Sequence, residues 1–165
     1  MKLRILLLII CILFLSGCNS VEYEPFSFCQ SNYDSCHECG KMFNAFGPDN
    51  VFGTRTVLIN SEEEYFNAIE NFKNKLHEEN KVLCKNNNLP SIDFSKYTLL
   101  SNYASSGSNT KFEIKVKRND FRKRVVFSIN KKNLGKSNEF RPVLTSTNPL
   151  ILVSKIPEDY KVIFK

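Results

Sequence analysis

Hydrophobic positions divide the chain into three regimes. Residues 1–17 open with Met1-Lys2-Leu3-Arg4 and then run through apolar residues without a break from Ile5 to Leu15. Residues 19–53 show neither a helical nor a strand period; Asn, Ser and Gly alternate irregularly with Tyr23, Phe26, Phe28, Tyr33, Phe43 and Phe46. Period appears only after residue 54. Arg55-Thr56-Val57-Leu58-Ile59 has the β-branched content of a strand. Ser61 and Glu64 stand at capping-box spacing, and Glu62, Glu63 and Glu64 oppose the positive end of a helix dipole. Tyr65, Ile69, Phe72 and Leu76 then recur at helical steps, predicting one amphipathic helix that ends before Lys85-Asn86-Asn87-Asn88. Leu89-Pro90 forces extended chain beyond it.

Everything after Pro90 reads as β. Tyr97-Thr98-Leu99-Leu100 is a strand leading into the loop 105–109. Lys111 to Lys117 alternates strictly, with one face for a core and one charged. Asn119-Asp120 turns the chain into a strand where Val125, Phe127 and Ile129 share a face, followed by a polar loop from Lys131 to Pro142. Leu150-Ile151-Leu152-Val153 is apolar at every position, as a strand covered on both faces requires. Pro157 separates it from Tyr160–Phe164. The expected fold is α+β: an antiparallel sheet of about six strands with one amphipathic helix packed on one face. The expected organisation is a signal peptide over 1–17, a lipidated cysteine, tether and Cys-rich loop region over 18–53, and an α+β globular domain over 54–165.

The N-terminal pattern carries the clearest message about location. A short basic stretch before eleven apolar residues is a secretory signal, too short to span a bilayer. Leu15-Ser16-Gly17-Cys18 resembles the bacterial lipobox, which implies cleavage after Gly17 and acylation of Cys18 with palmitate-type chains. Several acyl chains on one cysteine suffice for stable anchoring where a single chain does not. Asn19, in place of an aspartate, points to the outer membrane of the cell envelope. No cofactor is expected beyond the covalent lipid on Cys18.

Export also sets the redox compartment. Of six cysteines, Cys11 leaves with the signal and Cys18 carries lipid, so Cys29, Cys36, Cys39 and Cys84 remain. An even set in an oxidising compartment reads first as two disulfides in one of three connectivities. A bond from Cys84 into the Cys36/Cys39 region is slightly preferred. Cys36-His37-Glu38-Cys39 could instead cycle as a dithiol, or join Cys29 and Cys84 on zinc, with His37 or His77 in reserve. The redox reading lacks the strand that should precede Cys36, and the metal reading lacks a second paired motif. His77 reads as a solvated helix position. There is no Gly-x-Ser-x-Gly elbow and no phosphate-cradling glycine loop, so no catalytic residues are nominated.

At 165 residues and 42% hydrophobic content the chain suits one folded domain and is too apolar for wholesale disorder. Its formal charge of +6 is concentrated. Lys115, Lys117, Arg118, Arg122, Lys123 and Arg124 crowd one hairpin end, with Lys131, Lys132 and Lys136 following. Such a cluster attracts anionic headgroups or envelope polymers. Export makes nucleic acid an implausible partner; the expected partners are the membrane, through the anchor, and an envelope protein. The opposing reading is that these lysines are merely solvated positions in an Asn/Lys-rich chain.

Three stretches also resemble a known group. Val57-Leu58-Ile59-Asn60-Ser61-Glu62-Glu63-Glu64-Tyr65, then Pro90 to Leu100 with its Asp93-Phe94 lead into a strand, then Lys155-Ile156-Pro157, are similar to small uncharacterised bacterial lipoproteins. They are loosely similar to the C-terminal domain of protease-complex accessory proteins. The resemblance brings no catalytic residues, and the glycine-rich centre of the accessory domain is reduced here to Gly107. The lipobox, the absence of catalytic constellations and the even cysteine count together lead to the expectation of a membrane-anchored, non-enzymatic binding module.

Overall fold

The computed structural model describes residues 19–29, 38–84, 89–106, 110–133 and 145–165. In chain order these form β1 (Asn19–Ser20), β2 (Tyr23–Pro25), α1 (Glu38–Phe46), α2 (Pro48–Phe52), β3 (Thr56–Ile59), α3 (Glu62–Lys75) and α4 (Glu78–Leu83). There follow β4 (Tyr97–Asn102), β5 (Ala104–Ser106), β6 (Thr110–Asn119), β7 (Arg124–Asn133), β8 (Thr145–Thr147), β9 (Leu150–Ser154) and β10 (Lys161–Phe164).

The fold is α+β, but the expected single sheet with one helix is corrected. The strands divide into a four-stranded sheet β1-β6-β7-β10, a second sheet β2-β9-β4-β3 and a two-stranded ribbon β5-β8. Every pairing is antiparallel except β7 with β10, which is parallel. The physical reason lies in β4 and β9. Leu99, Leu150 and Leu152 point to a core shared with the helices. Leu100, Ile151 and Val153 point the other way, to a core shared with Val116, Val125, Phe127 and Ile129 of β6 and β7. A sheet apolar on both faces needs a cover on both, so the layers run helices, sheet, sheet.

The helix expected from the 65–76 stripe forms, and Tyr65, Ile69, Phe72 and Leu76 are all buried. Ser61 Oγ accepts from Glu64 N–H at 3.1 Å. Glu64 Oε2 reaches back past the cap to accept from Asn60 N–H at 2.8 Å. The helix does not continue to Lys85. Leu76 turns extended, with ψ 151°, and α4 restarts after His77. His77 is therefore an exposed residue at a helix start rather than within one.

Residues 19–53 differ most from expectation. No free tether spans 19–28: Asn19 and Ser20 pair with Arg118 and Lys117, and Tyr23, Glu24 and Pro25 pair with Val153, Leu152 and Ile151. Pro25 is tolerated because β2 is an edge strand. Of the aromatics that follow, Phe28 and Phe43 fold inward, with ring centroids 5.1 Å apart, and Phe43 lies 5.0 Å from Phe72, while Phe46 stays 43% exposed. Tyr33 lies outside the described residues, as do residues 1–17, expected to be a signal peptide, and Gly107.

The β4–β9 ladder and the β5–β8 ribbon keep one register, Ser101 opposite Leu150 and Ala104 opposite Thr147. The break falls at Tyr103 and at Asn148-Pro149, where proline has no N–H to give the ladder. Tyr103 N–H turns instead to the Arg55 carbonyl at 3.0 Å.

One buried phenol couples this core to pH. Tyr65 is 2% exposed and donates to the Pro90 carbonyl at 3.1 Å, and burial raises its pKa far above the ordinary 10.0. A group with a raised native pKa contributes stability that is intact below its unfolded pKa and lost as pH climbs beyond it. Urea unfolding should therefore show stability falling above about pH 10. Tyr65→Phe should cost about 1 kcal/mol at pH 7 and flatten that alkaline fall; equal alkaline slopes for the two chains would contradict this account.

Candidate functional site

Cysteines come first because they carry the most intrinsic chemistry. Cys39, in the first turn of α1, is bonded to Cys84, the C-cap of α4, with a sequence separation of 45. Both are buried, at 0% and 2% exposure, inside the helical core. This matches the preference for a bond from Cys84 into the Cys36/Cys39 region. Cys29 is also disulfide-bonded, and its sulfur receives a hydrogen bond from Asn44 Nδ2 at 3.1 Å. Cys18, Cys36 and His37 lie outside the described residues. Among the described residues, no three His, Cys, Asp or Glu side chains converge as metal ligands would.

The clefts offer little convergent chemistry. One of about 430 Å³ lies between α1, α2 and the α3–α4 junction, lined by Phe46, Asn50, Phe72, Lys75, Leu76, His77 and Asn80. Another of about 340 Å³ is bounded by Phe26, Phe28, Phe43, Asn44 and Pro149. Neither places a nucleophile beside a base. Among the described residues no helix is long and apolar enough to cross a membrane.

The basic cluster is brought to one end of the β6–β7 hairpin, but its six residues do not share a face. Lys115 and Lys117 stand on the exposed face of β6, opposite Ser128 and Val126. Lys115 pairs with Glu113 at 3.2 Å. Arg118 is clamped at the end of the strand: its Nε donates to Asp120 Oδ1 at 2.5 Å, and its guanidinium lies 4.8 Å over the Tyr160 ring. The Tyr160 hydroxyl donates to the same Asp120 oxygen at 2.7 Å. The Arg118 guanidinium, helped by this phenol, holds the Asp120 carboxyl below its usual range. Lys123 bonds Asp159 at 2.6 Å, and Lys123 in turn lowers the Asp159 pKa. Lys131 and Lys132 are exposed at the far end of β7, which runs on to Asn133 through the start of the expected loop; Lys136 lies outside the described residues.

Arg122 and Lys123 sit in the turn itself. Asn119 Oδ1 accepts from Arg122 N–H at 2.8 Å, the Asp120 carbonyl accepts from Lys123 N–H at 3.2 Å, and Lys123 adopts φ 45°. A left-handed non-glycine residue costs about 1 kcal/mol. Here the turn is held by the Lys123 carbonyl accepting from Lys161 N–H at 2.8 Å. Arg124, opposite Lys161 on β10, is half-buried, and its Nε has no hydrogen-bond partner among the described residues. Sequence reasoning missed Phe121, which stands 76% exposed in this turn. It also missed Asp120, Asp159, Tyr160 and Lys161, which set the cations in place. A phenylalanine inside a polar turn was the available signal for the first, and an acid two residues after Arg118 was a local signal for Asp120; the contacts of Asp159, Tyr160 and Lys161 need the parallel pairing of β10.

The chain matches no family model, no curated protein and no solved structure.

The Cys39–Cys84 bond makes a measurable prediction. Closing a loop of that length constrains the unfolded chain by about 4 kcal/mol. The double substitution Cys39→Ser, Cys84→Ser should lower the denaturant midpoint of the oxidised protein correspondingly. Under reducing conditions the altered and unaltered chains should converge. Coincident midpoints for the two oxidised proteins would show that the bond does not stabilise the fold.

Proposed function

We propose that the chain is exported, acylated on Cys18 and held at the outer membrane of the cell envelope, where its α+β domain acts as a non-enzymatic binding module. The observation that supports this most is the position of β1. Asn19, the residue directly after the lipobox Leu15-Ser16-Gly17-Cys18, is already paired to β6. An acyl group on Cys18 would thus leave the domain against the bilayer with no leash between them. Two disulfides in an oxidising compartment fit the same export route. The kinship with small bacterial lipoproteins belongs to this reading, and an envelope protein is the partner it calls for. The redox or zinc alternative at Cys36 and Cys39 requires Cys39 as a thiol or thiolate, whereas Cys39 is bonded to Cys84.

The test is intact mass of protein extracted from its own membrane, alkylated without reduction. The expected mass is that of the chain from Cys18 onward plus acyl chains, with no alkylated thiol. Cys18→Ala should abolish the acyl mass. Alkylated Cys36 and Cys39, or zinc that co-purifies, would overturn the binding-module reading in favour of the thiol chemistry.

A further inference from the structure

The apex of the β6–β7 hairpin and the start of β1 lie at the same end of the same sheet. Asn19 is opposite Arg118 and Ser20 opposite Lys117, so β1 runs away from the apex and its N-terminal end faces it. The residue before Asn19 is one peptide away, ~3.8 Å between Cα atoms. Directly opposed antiparallel residues are ~5 Å apart, and each strand residue advances ~3.3 Å. The Cα of Phe121, three residues beyond Arg118, therefore lies no more than ~10 Å past the level of Asn19.

We propose that this apex is a membrane-contact surface, in which Phe121 enters the interface of a bilayer and Lys117, Arg122 and Lys161 engage anionic lipid headgroups. The inference rests on the anchored reading above, which supplies the bilayer and places it beside Asn19. Amphipathic surface elements bury their apolar side ~5–10 Å below the headgroups, the depth Phe121 can reach from an anchor at the preceding residue. Its exposure, 76%, is the highest among the exposed large hydrophobics of the described residues. Around it the cations Lys117, Arg118, Arg122, Lys123, Arg124 and Lys161 outnumber the carboxylates Asp120, Glu158 and Asp159. Asp120 and Asp159 are engaged in holding Arg118 and Lys123, at 2.5 and 2.6 Å. Lys117, Arg122 and Lys161 are exposed. Positive charge beside an anionic leaflet and an aromatic ring at the headgroup level act together, and the hydrogen-bonded turn presents both without ordering cost.

The chain contains no tryptophan, so a single substitution gives an uncontaminated optical probe. Phe121→Trp and, as a control in the helical layer, Phe46→Trp would each be made in the full acylated chain. Each would be reconstituted into vesicles of phosphatidylcholine alone or mixed with phosphatidylglycerol, with brominated acyl chains as quencher. In the anionic vesicles the indole of the F121W chain should shift to the blue and lose most of its emission, while that of the F46W chain keeps its own. Lys117→Glu with Arg122→Glu, or salt near 1 M, where the screening length falls to ~3 Å, should restore the F121W emission. Vesicle-bound F121W chain whose indole stays unquenched would refute the contact while leaving the anchor intact. Quenching that ignores lipid charge would refute the headgroup recognition. Chain that carries no acyl mass and does not sediment with vesicles would refute the anchored reading and this inference with it.

Discussion

The architecture depends on two adjacent strands that are apolar on both sides. Within β4, Leu99 and Leu100 are each 0% exposed yet face different cores, and Ile151 and Leu152 divide the same way on β9. A slip of one residue in either strand would exchange the two sets between faces, so a single register satisfies both cores at once. Helices cover one face and the β1-β6-β7-β10 sheet covers the other. Asn60 helps to fasten the arrangement: Thr98 Oγ1 donates to its Oδ1 at 2.5 Å and accepts from Ile156 N–H at 3.0 Å. These bonds join the end of β3, the start of β4 and the segment leading to β10.

The helical layer could not hold itself together by local propensity. Its first two helices have nine and five residues, well below the length at which an isolated helix is stable. Tertiary packing fixes them instead. Phe43 is fully buried between the rings of Phe28 and Phe72, and the Cys39–Cys84 bond ties the start of the layer to its end. Edge strand β2 completes the arrangement from outside, since Phe26 and Phe28 follow it directly and pack against Tyr65 and Phe43. The described parts of 19–53, irregular in sequence, thus belong to the same folded body as the regular sequence after them.

What could be read from the chain was what adjacent residues encode. The stripe Tyr65–Leu76, the alternation of Lys111–Lys117, the shared face of Val125, Phe127 and Ile129 and the two-sided burial of 150–153 all survive, because each is a local period imposed by a core. Alternation says that a face is covered without saying by what, and so two sheets looked like one. The parallel pairing of β10 with β7 joins segments more than thirty residues apart and leaves no local trace. The break at Leu76-His77 follows from a backbone change that the unbroken apolar stripe conceals. At the basic hairpin the cations were legible by count; their division among an exposed face, a clamped end and a turn was not. That division depends on Asp120, which meets Arg118 locally, and on Tyr160 and Asp159, whose meetings with Arg118 and Lys123 are tertiary.

Carboxylates at the hairpin end orient charge more than they cancel it. Asp120 is shared by Arg118 and Tyr160, and Asp159 holds Lys123, so each acid fixes a cation at the base of the apex. Exposed ion pairs of this kind add little to stability. Their effect is geometric: the turn bearing Phe121 and Arg122 is braced against β10 by side chains as well as by the Lys161 to Lys123 backbone bond. An acyl anchor alone would restrain one point and leave the domain free to pivot about it. A braced apex touching the same bilayer would supply a second point and set the strand direction relative to the surface. The far ends of β6 and β7, with the β5–β8 ribbon that begins beside Thr110, would then be the part of the domain turned away from the lipid and open to a protein partner.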